Sequence, residues 1–428
     1  MKIVLAHKYF YRGGGTATYL FALMDQLHAW GHECLPFTVA YEQTVPQRHS
    51  EYFVSPPAGA DETHLKDMHS PMSLPRVLGR AIWSTEAYGK ARALARDLRP
   101  DIAFVHNLYS YMSPSPIAAF KAAGLPVVMR VSDYNMLCPG LRVMRGGKPC
   151  TECVHCGPLH ALPYRCHKQS FAATAARILT MYAHRWLRIY DKVDLFLTPS
   201  HFLRDLMVEA GYPADKIRHL PSFYPINPAS EPAQDRGYVL YFGRVAPEKG
   251  LDTLLDAMTL LSRRPPLLIA GADVDGETER LQQRTWRNKL TTVEFLGMQQ
   301  REQLDRLIAG ARFIVVPSNW YDNCPMSVIE SFAMGKPVIG ANIGGIPEQI
   351  TPQCGLLFEP GNAHDLALKM ERLLDDPELR EDMGQAALAR MQTTYSPHRH
   401  CSRLLDTFAS LLRGAQPASA RRRAIGTT

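Results

Sequence analysis

Short apolar runs alternate with helical spacings from one end of the chain to the other. Ile3–Ala6 is a continuous apolar run with β-branched residues, the pattern of a strand buried on both faces. Leu20, Leu23, Met24, Leu27 and Trp30 then recur at helical spacing, and Gly31 supplies a stop. Further strands are predicted at Cys34–Ala40, Asp101–His106, Pro126–Val131 and Asp194–Pro199. Residues 221–236 interrupt the rhythm, because Pro221, Pro225, Pro228 and Pro232 fall among residues with little apolar periodicity. A second alternation follows, with strands predicted at Tyr238–Phe242, Leu267–Gly271, Val293–Leu296, Phe313–Val316, Pro337–Gly340 and Gly355–Phe358, and late helices over 362–393 and 396–413.

Strands that alternate with helices predict an α/β protein: two Rossmann-like, doubly wound domains facing across a cleft. The expected division is a first domain over 1–220, a linker over 221–236, a second domain over 237–395, a closing helix over 396–414 and a disordered basic tail over 415–428. In such sheets ligands collect beyond the carboxyl ends of the strands, so strand ends are where the chemistry is sought. Hydrophobic residues make up 46% of the 428 and charged residues 21%, which excludes a mainly disordered, collagenous or coiled-coil chain. Every apolar run is broken well short of the ~20 residues of a membrane span. His7 and Lys8 end the first run too early for a signal peptide, so a cytoplasmic location is expected.

Charge alters this picture by its placement. The net charge is +7, but residues 1–200 carry 22 Lys and Arg against 14 Asp and Glu, whereas residues 201–428 carry 26 against 27. The basic half is expected to face an anionic partner, and the inner membrane surface is one candidate. Basic and aromatic residues are not interleaved as in nucleic-acid binders, so no nucleic acid is expected. Phe171–Tyr190 reads as a helix packed in the first domain, with a membrane-surface helix as the alternative.

Candidate chemistry sits at the strand ends. Gly13, Gly14 and Gly15 follow the first strand, where backbone N–H groups and a helix N-terminus suit a phosphate. Arg244 ends the strand Tyr238–Phe242, and Lys249 lies five residues on, a fork and a point charge suited to a diphosphate. Asp322 is followed eight residues later by Glu330, with Met326 and Ser327 at a helix start between them. Gly335-Lys336-Pro337-Val338 and Gly344-Gly345-Ile346-Pro347-Glu348 complete the series and read as a strand and a second glycine-rich anion turn.

These pieces, in this order and spacing, resemble the retaining glycosyltransferases of family 4, also called glycosyl transferases group 1, which have the GT-B fold. The resemblance implies that Arg244 and Lys249 bind the diphosphate of a nucleotide-sugar donor, Glu330 the ribose and Asp322 the transferred sugar. Gly297 and Met298 would hold the nucleobase through backbone groups. Family members usually carry Glu where Asp322 stands and Gly where Pro325 stands. His106, at the end of Asp101–His106, fits the family's histidine near the sugar. Asp133, in Ser132-Asp133-Tyr134, would orient the acceptor or support the site, although relatives usually have His before that Asp. The resemblance further implies transfer with retention, no catalytic metal, and a glycan or lipid-linked acceptor in surface-polysaccharide assembly. Alternatives are a sugar-nucleotide epimerase or phosphorylase on the same scaffold, or a catalytically silent nucleotide-sugar binding module.

The nine cysteines argue against a secreted disulfide framework. Five fall within 138–166. Cys150, Cys153 and Cys156 have C-x2-C-x2-C spacing, and Cys138 or Cys166 would be the fourth ligand of a structural zinc or an iron–sulfur cluster, with a loop of free thiols as the alternative.

Overall fold

A computed structural model of the chain describes residues 1–11, 14–56, 74–225 and 235–415. Two six-stranded parallel sheets organise it. The first has β1 (Lys2–His7), β2 (Glu33–Phe37), β3 (Ile102–His106), β4 (Val127–Arg130), β7 (Leu195–Thr198) and β8 (Ile217–His219), in the order β2-β1-β3-β4-β7-β8. Between β4 and β7 the chain forms a separate antiparallel ribbon, β5 (Met144–Arg145) with β6 (Lys148–Pro149). The second sheet has β9 (Tyr238–Phe242), β10 (Leu267–Ala270), β11 (Val293–Gly297), β12 (Ala311–Val316), β13 (Val338–Ala341) and β14 (Gly355–Phe358), in the order β11-β10-β9-β12-β13-β14.

In both sheets the strand order reverses beside the first strand, between β1 and β3 and between β9 and β12. These are the crevices where doubly wound sheets bind ligands. The central strands are apolar on both faces: Ile102–Phe104 and Val239–Leu240 are fully buried. Side-chain caps start several helices. Ser84 accepts from the Ala87 N–H at 3.1 Å and Asn362 from the Asp365 N–H at 3.0 Å, each satisfying a donor that the helix leaves open.

The stretch 221–236 is not a plain linker. Phe223 and Tyr224 are buried, and Phe223 packs its ring 5.3 Å from Tyr19 and 4.6 Å from His400. Its prolines hide this short apolar anchor; residues 226–234 lie outside the described residues. The helix Pro397–Ala415 crosses back to the first domain, where Cys401, Leu404 and Phe408 share a core with Ile3, Leu5 and Leu20. His400 bonds Tyr19 Oη at 2.9 Å and the Pro221 carbonyl at 2.8 Å. Strand β8 and the ribbon β5–β6 are absent from the sequence-based expectation, because runs of two or three residues carry no readable periodicity. The basic tail lies outside the described residues.

Candidate active site

The carboxyl ends of β9 and β12 bring two of the predicted residues into contact. After β9 the chain makes a 3-10 turn, Pro247–Lys249, ended by Gly250 at φ +70°. A Cβ at Gly250 would stand 1.9 Å from the Pro317 carbonyl oxygen, so only glycine lets this loop lie against the loop after β12. That approach sets Lys249 Nζ 2.5 Å from Asp322 Oδ2 and 5.3 Å from the centre of the Trp320 ring. Ser318 Oγ also donates to Asp322 Oδ2, at 3.3 Å. Asp322 is buried and Lys249 nearly so.

Arg244 is half exposed and pairs at 3.1 Å with Glu248, which is only 3% exposed. The other oxygen of Glu248 takes Arg142, reaching from the cysteine-rich segment of the first domain, at 3.3 Å. Glu330 lies in the helix Met326–Ala333, and its Oε2 takes Arg301 at 2.8 Å. Burial pushes the Glu330 carboxyl above its ordinary range, while Arg301 opposes that shift. Met326 and Ser327 open this helix after Pro325, so their N–H groups belong to its unpaired first turn. Gly297 ends β11, and its carbonyl accepts from the Gly271 N–H at 2.8 Å; Met298 beside it is 78% exposed.

The turn read as a second anion loop has another task. Gly345 N–H donates to the Asp322 carbonyl at 2.7 Å, and a Cβ at Gly345 would stand 1.8 Å from the Asn323 oxygen. The two glycines therefore let backbone pack on backbone behind Asp322. Glu348, at the end of the same motif, reaches the first domain. It accepts the His201 and Phe202 N–H groups at 2.7 and 2.6 Å, capping the helix His201–Glu209.

Across the cleft, His106 is buried at the end of β3. Its Nε2 meets Ser132 Oγ at 2.7 Å, and its ring lies 5.2 Å from that of His7. Burial, then the neighbouring His7, Arg130 and Lys8, hold its pKa well below the usual histidine value, so the ring is neutral. Asp133 accepts the Asn135 N–H at 3.0 Å, and burial raises its pKa. The domains meet directly here. Asn323 Nδ2 donates to the Ser132 carbonyl at 3.1 Å, Tyr134 Oη donates to the Tyr321 carbonyl at 2.5 Å, and Ser200 Oγ meets Asn323 Oδ1 at 3.2 Å. Thus the loop of Asp322 touches the loop after β4 through Asn323 and Ser132, and Ser132 in turn meets His106 at the end of β3, whereas Asp133 binds back into its own loop. Gly14 and Gly15 already belong to the helix Gly14–Ala29, not to a loop before it; Gly13 lies outside the described residues.

Sequence reasoning missed Arg142, Glu248, Arg301 and Asn323. Asn323 adjoins Asp322 within the motif, and its type, an amide able to donate and accept at once, is the signal for a bridging role. The partners of the other three become visible only after folding.

Residues 13–226 match the model of glycosyltransferase family 4, and residues 225–390 match that of glycosyl transferases group 1. The alpha-D-kanosaminyltransferase of Streptomyces kanamyceticus is 32% identical over 171 residues, 38% of this chain and 42% of that protein. A GDP-mannose-dependent monoacylated alpha-(1-6)-phosphatidylinositol monomannoside mannosyltransferase of Corynebacterium glutamicum is 30% identical over 232 residues, 49% of this chain and 60% of that protein. The chain thus spans about half the length of the curated relatives it matches. Among solved structures, Anabaena HepE in complex with UDP superposes with a TM-score of 0.64 at 18% identity, covering 96% of this chain and 100% of that one, a likeness of fold.

Proposed function

This chain belongs to glycosyltransferase family 4 and has the GT-B fold, and from that premise we propose that it moves one sugar from a UDP- or GDP-sugar to a glycan or lipid-linked saccharide. We further propose retention at the anomeric carbon, no catalytic metal, a role in surface-polysaccharide assembly, and work at the inner face of a membrane. The observation that carries this reading is the meeting of Lys249 and Asp322 at the β9–β12 crevice, facing His106 across the Asn323–Ser132 contact.

In the proposed mechanism Arg244 and Lys249 hold the donor diphosphate, with the N–H groups at Met326 and Ser327. Lys249 leaves Asp322 to reach the phosphate, which frees Asp322 for the sugar hydroxyls. The free oxygen of Glu330 takes the ribose hydroxyls while Arg301 keeps the carboxylate charged. The bond from the anomeric carbon to the phosphate oxygen breaks, and negative charge collects on the leaving diphosphate. Once on the diphosphate, the two cations stabilise that charge, and electrostatic stabilisation of this kind is usually the largest single contribution to the rate in such sites. The acceptor oxygen attacks from the same face, and its proton passes to the leaving phosphate oxygen. Neutral His106 lines the reactive face as a hydrogen-bonding partner, not as a cation.

A panel of nucleotide sugars scored by donor hydrolysis and thermal shift tests the reading. One donor is expected to raise the melting temperature and to be turned over. Lys249→Ala and Glu330→Ala are each expected to lower turnover at least ~100-fold, the scale of losing a key electrostatic contact. Binding without turnover would indicate a silent module, and near-normal transfer by either variant would reject the site.

A further inference from the structure

Residues 131–170, between β4 and the helix Phe171–Trp186, have little regular structure. They hold the two-residue strands of the ribbon, a five-residue helix (Glu152–Cys156) and a four-residue turn, Pro158–Ala161. Loops of this length are uncommon inside a compact domain and are usually functional, and this one also packs Tyr134, Leu137 and Val143 into the core of the first domain. Its backbone is also strained: Leu141, Val143, Arg165, Lys168 and Gln169 all have positive φ, unusual for side-chain-bearing residues and most of all for β-branched Val143 at +46°.

The strain has a local purpose. The backbone of Gly140, Leu141 and Val143 wraps closely around the sulfur of Cys138, and the Leu141 N–H donates to the Cys138 carbonyl at 3.0 Å, which closes the turn. The Cys153 thiol is a neighbour of the same sulfur. Cys150 follows the ribbon directly, its N–H tied to the Val143 carbonyl at 2.7 Å. Cys166 closes the group from the far side. Gly140 lies between it and Cys138, so that a Cβ there would stand 3.3 Å from Cys166 Cβ and 3.6 Å from Cys138 Sγ. None of these cysteines is in a disulfide. Cys156 is exposed, and two nearby histidines are engaged elsewhere: His155 faces Glu209 at 3.9 Å and His160 faces Glu152 at 3.6 Å.

We propose that Cys138, Cys150, Cys153 and Cys166 bind one structural zinc ion, with Cys156 outside the site, and that this ion fixes Arg142 across the cleft on Glu248. A tight turn wrapped around one cysteine, followed by a C-x2-C pair at a ribbon end and a fourth cysteine beside the turn, is a donor set suited to tetrahedral zinc. Among the described residues the donors already within 4.8 Å of one another are His201, His219 and Glu348. Zinc must therefore draw the thiols inward. The His–His–Glu group is a weaker candidate, since both Glu348 oxygens already accept backbone N–H groups. Arg142 lies between the strained Leu141 and Val143, in the turn that wraps Cys138, so ordering the knuckle orders its reach to Glu248 and, through Glu248, to Arg244. The metal is a structural element and Arg142 a positioning residue; this second half rests on the transferase reading, whereas metal binding does not.

Elemental analysis of protein purified without oxygen or chelator is expected to give about one zinc per chain. Cys138→Ser and Cys153→Ser are expected to lose it, and Cys156→Ser to keep it. Should the serine variants not fold, cobalt exchanged into the wild-type protein is expected to show the thiolate charge-transfer and visible bands of a tetrahedral site. Arg142→Ala is expected to keep the zinc and to raise the donor KM about fivefold with little change in kcat. No metal, iron with sulfide in place of zinc, loss of metal in Cys156→Ser, or octahedral cobalt would overturn the site. A normal KM in Arg142→Ala would overturn the link to the donor side while leaving the metal standing.

Discussion

Individual residues here owe their chemistry to burial as much as to type. The rings of His7 and His106 lie 5.2 Å apart and tilted at the carboxyl ends of β1 and β3, and burial lowers the His7 pKa to about 4. In the unfolded chain the same histidine takes a proton near pH 6.5, so the unfolded state binds more protons between those values and stability falls as pH falls. For His7 the loss reaches about 2 kcal/mol at pH 5 relative to pH 8. His106 and His400, shifted in the same direction, add to it. Chemical denaturation across this range is expected to show the decline, with a shallower slope in His7→Gln. A flat profile from pH 8 to 5 would contradict the buried, neutral assignment. Arg244, Lys249, Asp322 and Glu330 were legible as charged residues at telling spacings. Their companions Arg301, Glu248 and Arg142 were not, because a salt bridge between distant positions leaves no periodic mark in the chain.

At the level of elements, the long strands and helices were readable and the short ones were not. Tyr238–Phe242 and Gly355–Phe358 have the bounds that the apolar pattern predicts, since each is a clean apolar run, the first buried throughout and the second, at the sheet edge, with Leu356 and Leu357 only partly buried. Gly344-Gly345 was legible as a turn but not as to purpose: it serves close packing behind Asp322 rather than an open anion cradle. Gly345→Ala would press a methyl carbon onto the Asn323 carbonyl. The expected cost is about 1–3 kcal/mol of stability, with a larger fractional loss of transfer because Asp322 shifts. Unchanged denaturation and activity in this variant would mean that the turn is free to move. Glu348 adds a second element-scale lesson, since a carboxylate in an apparent ligand motif serves as a helix cap for the other domain.

Across the whole molecule, exposed apolar side chains occur in both halves, but only the first half of the chain carries a net positive charge. The helix Phe171–Trp186 buries Thr174, Arg177, Ile178 and His184, yet Phe171, Leu179 and Trp186 are 57%, 52% and 84% exposed. Arg185 and Arg188 lie near Trp186 in the basic first half of the chain. No helix among the described residues is long and apolar enough to cross a membrane. These features support the proposed work at the inner face of a membrane, where each basic side chain near an anionic surface contributes about 1 kcal/mol. Flotation with anionic vesicles is expected to recover the protein at low salt, less at high salt, and less for Trp186→Ser. Equal recovery with neutral vesicles would reject the electrostatic part.

The sequence alone determined two doubly wound domains and the family to which the chain belongs. Those properties reside in local pattern: apolar periodicity sets strands and helices, and glycines and charges at fixed spacing mark strand ends. Only the tertiary structure decided which charges meet. It paired Lys249 with Asp322 and Glu330 with Arg301, turned Phe223 and Tyr224 from linker into anchor, and carried Arg142 across to Glu248. The reason is physical. A contact between residues a hundred positions apart forms where two loops are brought together by cores built elsewhere, and no local propensity records it.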